Sequence, residues 1–161
     1  MELIAKILPA GNVLADLDAG SKKEAFEKIG RLFEDGQHIA AAKVTDSLLA
    51  REKLGSTGLG HGVAIPHGRL KALREAVAAF VRLKNPIPFE APDGKHVSLL
   101  FILLVPERAT DLHLQILGEL AQMFSDRQLR ERLLACTDSA ELHRLLIEWS
   151  PHAPNQRPAT L

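Results

Sequence analysis

Residues 97–105 form the segment that most constrains the fold of this chain. They read Val-Ser-Leu-Leu-Phe-Ile-Leu-Leu-Val and are followed by Pro106. A run that is apolar at nearly every position is typical of a central strand whose two faces are both covered. It is also far too short to span a membrane as a helix. The segment therefore predicts a buried strand with other elements packed on both sides of it.

Helical patterns occur before and after this strand in the sequence. Ser21 and Glu24 form a capping box ahead of a helical run, and a second helix is predicted at about 41–54. A turn followed by a short strand is predicted within 11–17, further strands at 63–65 and 76–83, and a Pro-rich loop at 85–93. Three more helices are predicted at about 111–124, at 126–135 with Ser125 and Gln128 as a capping box, and at 139–149 with Asp138 as the cap. This interspersed order predicts the α/β class, a layered α/β/α domain with a mixed β-sheet flanked by helices.

Length and composition limit the classes of function. The 161 residues predict one domain at 1–150, and a Pro-rich, flexible C-terminal tail at 151–161. Lys plus Arg equals Asp plus Glu, at 20 each, so the chain lacks the basic excess of a nucleic-acid-binding protein. The single cysteine excludes an internal disulfide. The N-terminus lacks the basic and apolar regions of a secretory signal, which predicts a cytoplasmic protein.

Residues 55–68 differ in kind from the rest of the chain. They hold five of its eleven glycines, so the segment is not expected to be helical and its backbone can approach a ligand closely. Within it, His67 stands between Pro66 and Gly68. Proline restricts the backbone before the histidine, which predicts an imidazole held at a set angle on an open loop. From this spacing alone, a surface histidine without a role is an equal alternative.

His113 and Arg51 are further candidates. His113 falls in the first turn of the helix that follows the central strand, where α/β proteins collect their binding sites and where a helix N-terminus favours anions. The alternative, a core histidine bonded to a backbone carbonyl, is the more frequent case for such a position. Arg51 ends the second helix, and residues 51–74 hold five basic residues and one acid, Glu52. This positive field fits an anionic ligand, although cations are also favoured at any helix C-terminus.

Three stretches of the chain resemble a known family. The signature lies in Arg51–Gly60, which reads REKLGSTGLG, and in Gly62–Gly68, which reads GVAIPHG; a second histidine region lies in Asp111–Leu117, which reads DLHLQIL. They resemble the active site of the fructose/mannitol-type IIA domain of the bacterial phosphotransferase system (PTS). The resemblance covers about residues 3–148 and is greatest to the nitrogen-regulatory IIA proteins. One departure is His61, where relatives often have Asn.

The resemblance implies a phosphoryl relay. An HPr-like phosphocarrier protein is expected to donate the phosphoryl group to Nε2 of His67, the nucleophile. His113 is expected to stabilise the phosphoryl group, and Arg51 to contact its oxygens. The second ring nitrogen of His67 is then expected to donate its proton to a fixed acceptor such as a backbone carbonyl. No cofactor and no metal are expected, and the acceptor would be regulatory target proteins or a IIB domain.

A phosphate-binding loop is expected around the same histidine. Glycine N–H groups and hydroxyl groups can surround phosphoryl oxygens without a metal ion. The residues predicted for this purpose are Ser56, Thr57, Gly58 and Gly68.

Three alternatives remain open at this point. His61, His67 and His113 would provide the ligands of a three-histidine zinc hydrolase, although His61 is more simply an incidental loop residue. A pure interaction module with a vestigial histidine is the second. The third lies within the family: the chain carries no IIB-like or membrane IIC domain, which favours a regulatory role, but a IIA component that feeds a separate IIB/IIC sugar transporter has the same signature.

Overall fold

The computed structural model describes residues 2–108 and 110–151. A 3-10 turn lies at Ala10–Asn12. The helices and strands, in chain order, are α1 (Glu2–Ile7), β1 (Val13–Leu17), α2 (Lys22–Gln37), α3 (Ala41–Lys53), β2 (Gly58–Gly60), β3 (Val63–Ala64), β4 (His67–Leu70), β5 (Val77–Ile87), β6 (Val97–Pro106), α4 (Thr110–Phe124), α5 (Arg127–Ala135) and α6 (Ser139–Glu148).

A mixed sheet of six strands forms the centre of the molecule. Its main path runs β1-β5-β6-β3-β2, and β4 also pairs with β6. The long antiparallel partner β5 occupies one edge of β6, so β3 and β4 share the other edge, both parallel to β6. β4 lies beside the carboxyl-terminal half of β6, where His67 is opposite Leu103.

Side chains of β6 point alternately into two apolar cores, one on each face of the sheet. One core is shared with α1, α4, α5 and α6, and the other with α2 and α3. The first receives Leu99, Phe101, Leu103 and Val105; the second receives Leu100, Ile102 and Leu104. Each fully buried side chain of this size stabilises the fold by about 1.5–3 kcal/mol. The predicted α/β/α layering and the doubly covered central strand are confirmed.

The cap of α5 differs from the prediction. The side chain of Asp126 accepts hydrogen bonds from the backbone N–H groups of Gln128 and Leu129, at 3.0 and 3.4 Å. Ser125 instead donates its hydroxyl to the carbonyl oxygen of Gln122, at 2.6 Å, and so closes the end of α4. The predicted Ser125–Gln128 capping box is therefore wrong, because two helices follow each other so closely that Ser125 belongs to the first.

The end of one strand and the presence of one helix also differ from the prediction. β5 continues to Ile87, beyond the predicted end at 83 and through Pro86. Its pairing with β6 is interrupted between Arg82 and Ile87, so a proline without an N–H removes no ladder hydrogen bond there. The short helix α1 was not predicted. Its buried residues Ile4 and Ile7 are spaced as on one face of a helix, but six residues are too few for a clear pattern.

None of the helices in the described ranges is long and apolar enough to cross a bilayer. Of the tail predicted at 151–161, residues 152–161 lie outside the described part of the chain.

Candidate functional site

His67 is the first residue of β4 and does not lie on an open loop as predicted. Its half-buried ring makes two hydrogen bonds. Nδ1 lies 2.8 Å from the carbonyl oxygen of Ile65, and Nε2 accepts from Nε–H of Arg51 at 3.2 Å. Because a guanidinium only donates, Nε2 must carry the lone pair and Nδ1 the proton. The backbone two residues upstream thus selects the tautomer whose nucleophilic nitrogen is Nε2.

Arg51 reaches His67 from the last turn of α3. Its Nη1 donates to the carbonyl oxygen of Gly55 at 2.9 Å, just beyond the end of the helix. The guanidinium is therefore anchored at one nitrogen and directed at the imidazole with another. A cation held in this way is preorganised beside the nitrogen that the resemblance predicts to react.

Close packing of α3 on β4 explains why Gly68 follows the histidine. A Cβ at Gly68 would lie 2.1 Å from Oγ of Ser47 and 3.1 Å from its Cβ. The hydroxyl of Ser47 also donates to the carbonyl oxygen of Arg69 at 3.2 Å. Gly68 thus permits the approach that brings the helix with Arg51 to the strand with His67.

His113 lies in the first turn of α4, and its ring centroid is 5.1 Å from that of His67, with the ring planes at 68°. Its exposed fraction is only 7%. In the described part of the chain, neither ring nitrogen has a hydrogen-bond partner. A buried polar group without a partner costs about 1–3 kcal/mol, so the alternative of a core histidine bonded to a backbone carbonyl does not hold. The imidazole therefore lies beside the predicted nucleophile, and neither of its nitrogens is bonded to another described residue.

Both imidazoles are shifted toward the neutral form. Burial lowers the pKa of His67; the hydrogen bond to Ile65 opposes this shift, and the positive charge of Arg51 adds to it. Burial also lowers the pKa of His113, with further lowering by His67, Arg69 and Arg51. A neutral imidazole keeps the lone pair that a nucleophile needs. The same cations would stabilise an anion bound between the two rings.

Residues of the predicted phosphate-binding loop already have protein partners. The hydroxyl of Thr57 donates to Oε1 of Glu52 at 2.7 Å, and that of Ser56 donates to the carbonyl oxygen of Phe89 at 2.8 Å. Gly58 packs so tightly that a Cβ there would lie 2.7 Å from that of Ala91. A hydroxyl has one hydrogen to donate, so direct donation by Ser56 or Thr57 to a phosphoryl group stays a prediction that requires these bonds to break.

The glutamate in this network was not singled out from the sequence. Glu52 counted there only as the lone acid of a basic segment. In the structure it is buried and bonded to Lys22 from the start of α2, with 2.9 Å between Nζ and Oε2. No local pattern in the sequence connects these two residues, because the contact depends on how α2 packs on α3.

His61 lies apart from the pair formed by His67 and His113. It is exposed, with φ at 56°, and lines a shallow cleft with His96 and Ser98. Within residues 2–108 and 110–151, no three His, Cys, Asp or Glu side chains are grouped as metal ligands would be. The geometry therefore does not favour the three-histidine zinc alternative.

The chain is similar in sequence to proteins of the phosphotransferase system and similar in fold to a solved structure. A nitrogen regulatory protein of Pseudomonas aeruginosa is 39% identical over 146 residues, which cover 90% of this chain and 95% of that protein. The fructose-specific EIIA component of the PTS of Haloferax volcanii is 32% identical with the same coverage. The crystal structure of the nitrogen regulatory protein IIA-Ntr from Neisseria meningitidis is 50% identical, covers 90% of this chain and 99% of that one, and superposes with a TM-score of 0.85.

The profile of one family, described as "Phosphoenolpyruvate-dependent sugar phosphotransferase system, EIIA 2", matches residues 6–149. That range contains all of β1–β6 and the residues around His67 and His113. The chain belongs to this EIIA family, and it is a phosphoryl-transfer component of the phosphotransferase system.

Proposed function

We propose that His67 accepts a phosphoryl group on Nε2 from an HPr-like phosphocarrier protein and that the phosphorylation state of this chain is read by regulatory target proteins. The observation that supports the site most directly is the pair of hydrogen bonds on the His67 ring. Ile65 holds the proton on Nδ1, and the lone pair of Nε2 points at Arg51. The two contacts together fix the tautomer and keep a cation beside the nucleophilic nitrogen.

The transfer step balances within two imidazoles and one phosphoryl group. The lone pair of Nε2 attacks phosphorus, the P–N bond of the donor phosphohistidine breaks, and its electron pair returns to the donor ring. The donor leaves as a neutral imidazole because its other nitrogen carries a proton, and His67 keeps its own proton on Nδ1 and takes up the positive charge. Such transfers have a loose transition state, so catalysis rests on positioning and charge neutralisation. Since Nε–H of Arg51 occupies the attacking lone pair, the guanidinium must shift from Nε2 to the incoming oxygens as the new bond forms.

His113 is the second contact for the phosphoryl group in this proposal. The centroid of its ring lies 5.1 Å from that of the His67 ring, with the ring planes at 68°. A neutral imidazole carries one N–H, which would donate to a phosphoryl oxygen. The unpartnered nitrogens at this buried position are the observation that supports this role.

The surroundings of the site suit a protein as the donor. Leu54 follows α3 shortly after Arg51 and is 83% exposed; Leu112 and Leu114 flank His113 and are 38% and 64% exposed. Exposed apolar side chains near a reactive group are typical of a protein interface. A small-molecule donor would instead need an enclosing pocket.

Two branches of the PTS remain candidates for the acceptor. The nitrogen regulatory proteins are 39% and 50% identical to this chain, which favours the regulatory branch. The 32% identity to a fructose-specific EIIA component supports the second candidate, a IIA protein that passes the group to a separate IIB domain of a sugar transporter.

Incubation with a phosphorylated HPr-like protein tests the reaction itself. We expect one acid-labile phosphoryl group per chain, located on His67 by mass spectrometry, and transfer that persists in the presence of a chelator. A product modified at another residue, or transfer that stops when metal is removed, would contradict the proposal.

The branch is tested by the fate of the phosphoryl group once it is on His67. The phosphorylated chain is mixed with a purified fructose-type IIB domain, and loss of phosphate from His67 is followed by ³¹P NMR. Retention of the group for much longer than in a sugar-specific IIA control is expected of a regulator. Rapid transfer to the IIB domain would assign the chain to sugar transport.

A further inference from the structure

A buried acid lies next to the cation of the site. Glu52 is the residue after Arg51, and its side chain is 5% exposed. Its Oε1 accepts from the hydroxyl of Thr57 at 2.7 Å, and its Oε2 accepts from the backbone N–H of Thr57 at 3.0 Å and from Nζ of Lys22 at 2.9 Å. The transfer mechanism proposed for His67 gives this carboxylate no part, although an anion so close to a phosphoryl site is unfavourable unless it is neutralised.

The hydrogen bonds of Thr57 lead from Glu52 to the reactive histidine. The carbonyl oxygen of Thr57 accepts from the backbone N–H of Ile65 at 3.0 Å, and the carbonyl oxygen of Ile65 lies 2.8 Å from Nδ1 of His67. On the other side of the ring, Nε2 accepts from Arg51, whose Nη1 donates to the carbonyl oxygen of Gly55. Gly55 lies in the loop between Glu52 and Thr57. The hydrogen bonds on the two sides of the His67 ring therefore both lead back to this loop.

We infer that Glu52 is a positioning residue for phosphoryl transfer: with Lys22 as its counter-ion, it fixes the loop that sets both hydrogen bonds of the His67 ring. This inference rests on the proposed function of His67. Glu52 affects both ends of the loop, because its carboxylate bonds to Thr57 directly and its own backbone precedes Gly55. Neither end touches the phosphoryl group.

Lys22 explains how an acid is tolerated at this position. Its Nζ lies 2.9 Å from Glu52 and 4.4 Å from the ring centroid of Phe89. The ammonium therefore neutralises the carboxylate from the side of α2 and is itself held over an aromatic face. Glu90 also contacts Lys22, at 3.5 Å, but its side chain is 89% exposed.

The test compares Glu52→Gln with Glu90→Gln. A glutamine at 52 keeps the shape but has one acceptor oxygen for three donors, so the loop loosens. We expect the rate of His67 phosphorylation from a phosphorylated HPr-like donor to fall about 10- to 100-fold, as for a small misplacement of reacting groups. Glu90→Gln removes an ion pair from the same lysine without touching the loop, and its rate should be unchanged.

The ¹⁵N shifts of the His67 ring provide a readout that does not need the reaction. They should move in Glu52→Gln toward a mixture of tautomers and stay in place in Glu90→Gln. Thr57→Val, which exchanges the hydroxyl for a methyl group, should slow transfer more than Thr57→Ser, which keeps the hydroxyl. This pair of variants tests the inference if Glu52→Gln does not fold. A Glu52→Gln protein with a lower melting temperature but unchanged ring shifts and rate would overturn the inference. Failure of the unmodified protein to accept phosphate would refute the proposed function instead, and the ring shifts would still test Glu52.

Discussion

His61 and His67 lie in the same glycine-rich segment, and each is followed by a glycine, yet the structure gives them different surroundings. His61 is exposed in a left-handed turn, where its backbone N–H bonds to Asp93 at 2.9 Å. His67 begins a strand, and both nitrogens of its half-buried ring have hydrogen-bond partners. Two histidines of similar local sequence thus differ in exposure, in backbone conformation and in the hydrogen bonds around them.

The difference arises from elements that are remote in the sequence. Arg51 comes to His67 from α3 and His113 from α4. His61 lies beside His96 and the first turns of α5 instead. The surroundings of His67 are therefore set by the helices that pack around it, and the glycine-rich segment supplies only the backbone on which the histidine is placed.

The largest effect is expected from replacing the two histidines in turn. His67→Ala should abolish phosphoryl incorporation from a phosphorylated HPr-like donor, because the nucleophile is gone. His61→Ala should incorporate one group as the unmodified protein does. The measurement is the phosphate content at completion, with circular dichroism to verify folding. Incorporation by a folded His67→Ala protein would remove the basis of the comparison.

Replacing His113 by leucine tests the contribution of α4, which brings His113 to His67 but not to His61. We expect transfer to slow by about 10²–10³-fold, the scale of losing one preorganised donor. The melting temperature should not fall, since leucine replaces a buried ring whose nitrogens have no partner among the described residues. Transfer kinetics and thermal unfolding are measured on the same protein. A lower melting temperature with an unchanged rate would return His113 to a packing role.

Arg51→Lys tests the contribution of α3. Lysine preserves the charge but cannot hold Gly55 with one nitrogen and face the ring with another. The expected loss is about 1–3 kcal/mol of transition-state stabilisation, as for a charged hydrogen bond. Lys53→Met removes an exposed cation from the same helix end and is the control, with no change of rate. Equal losses of rate in both variants would show that only the positive charge at this end of α3 matters, and not the geometry of Arg51.

The glycines that follow the two histidines sharpen the comparison further. Gly62→Ala should destabilise the fold by about 1–2 kcal/mol through its positive φ of 80°, without slowing transfer. Gly68→Ala should cost about 1–3 kcal/mol through overlap with Ser47, and should also slow transfer because α3 and Arg51 must move. Adding Ser47→Ala should restore part of the loss. Denaturant unfolding and transfer kinetics separate the two cases.

A smaller effect concerns pH. Burial places the pKa of His113 below its ordinary value of 6.5, so the unfolded chain takes up this proton first and folding stability is lost as pH falls below about 6.5. His113→Leu has no such proton to bind. Its free energy of unfolding should therefore fall less between about pH 7.5 and 5.5 than that of the unmodified protein. The free energies of unfolding are measured by urea denaturation. An equal fall for the two proteins over this pH range would contradict the lowered pKa of His113.

The sequence by itself determined the layers of the fold and indicated His67 as the candidate nucleophile. The apolar run at 97–105 predicted a strand buried on both faces, and the structure places β6 at the centre of the sheet. Helical periodicity located α3 to α6 within a few residues of their ends, and the capping box at Ser21 located the start of α2. The Pro-His-Gly sequence, with the glycines before it, indicated the histidine and the resemblance to the family. These properties are local, since the spacing of apolar residues along the chain indicates whether one or both faces of an element are buried.

Tertiary structure decided everything that depends on contact between elements. The loop expected to be open became the strand β4, because β6 offered it an edge. Gly68 proved to be a packing residue against α3, and Ser56 and Thr57 bond to Phe89 and Glu52. The partnership of Glu52 with Lys22 had no sequence signal at all. Hydrogen bonds of this kind depend on distances of a few tenths of an ångström between side chains from separate helices and strands, and the packing of the two cores sets those distances.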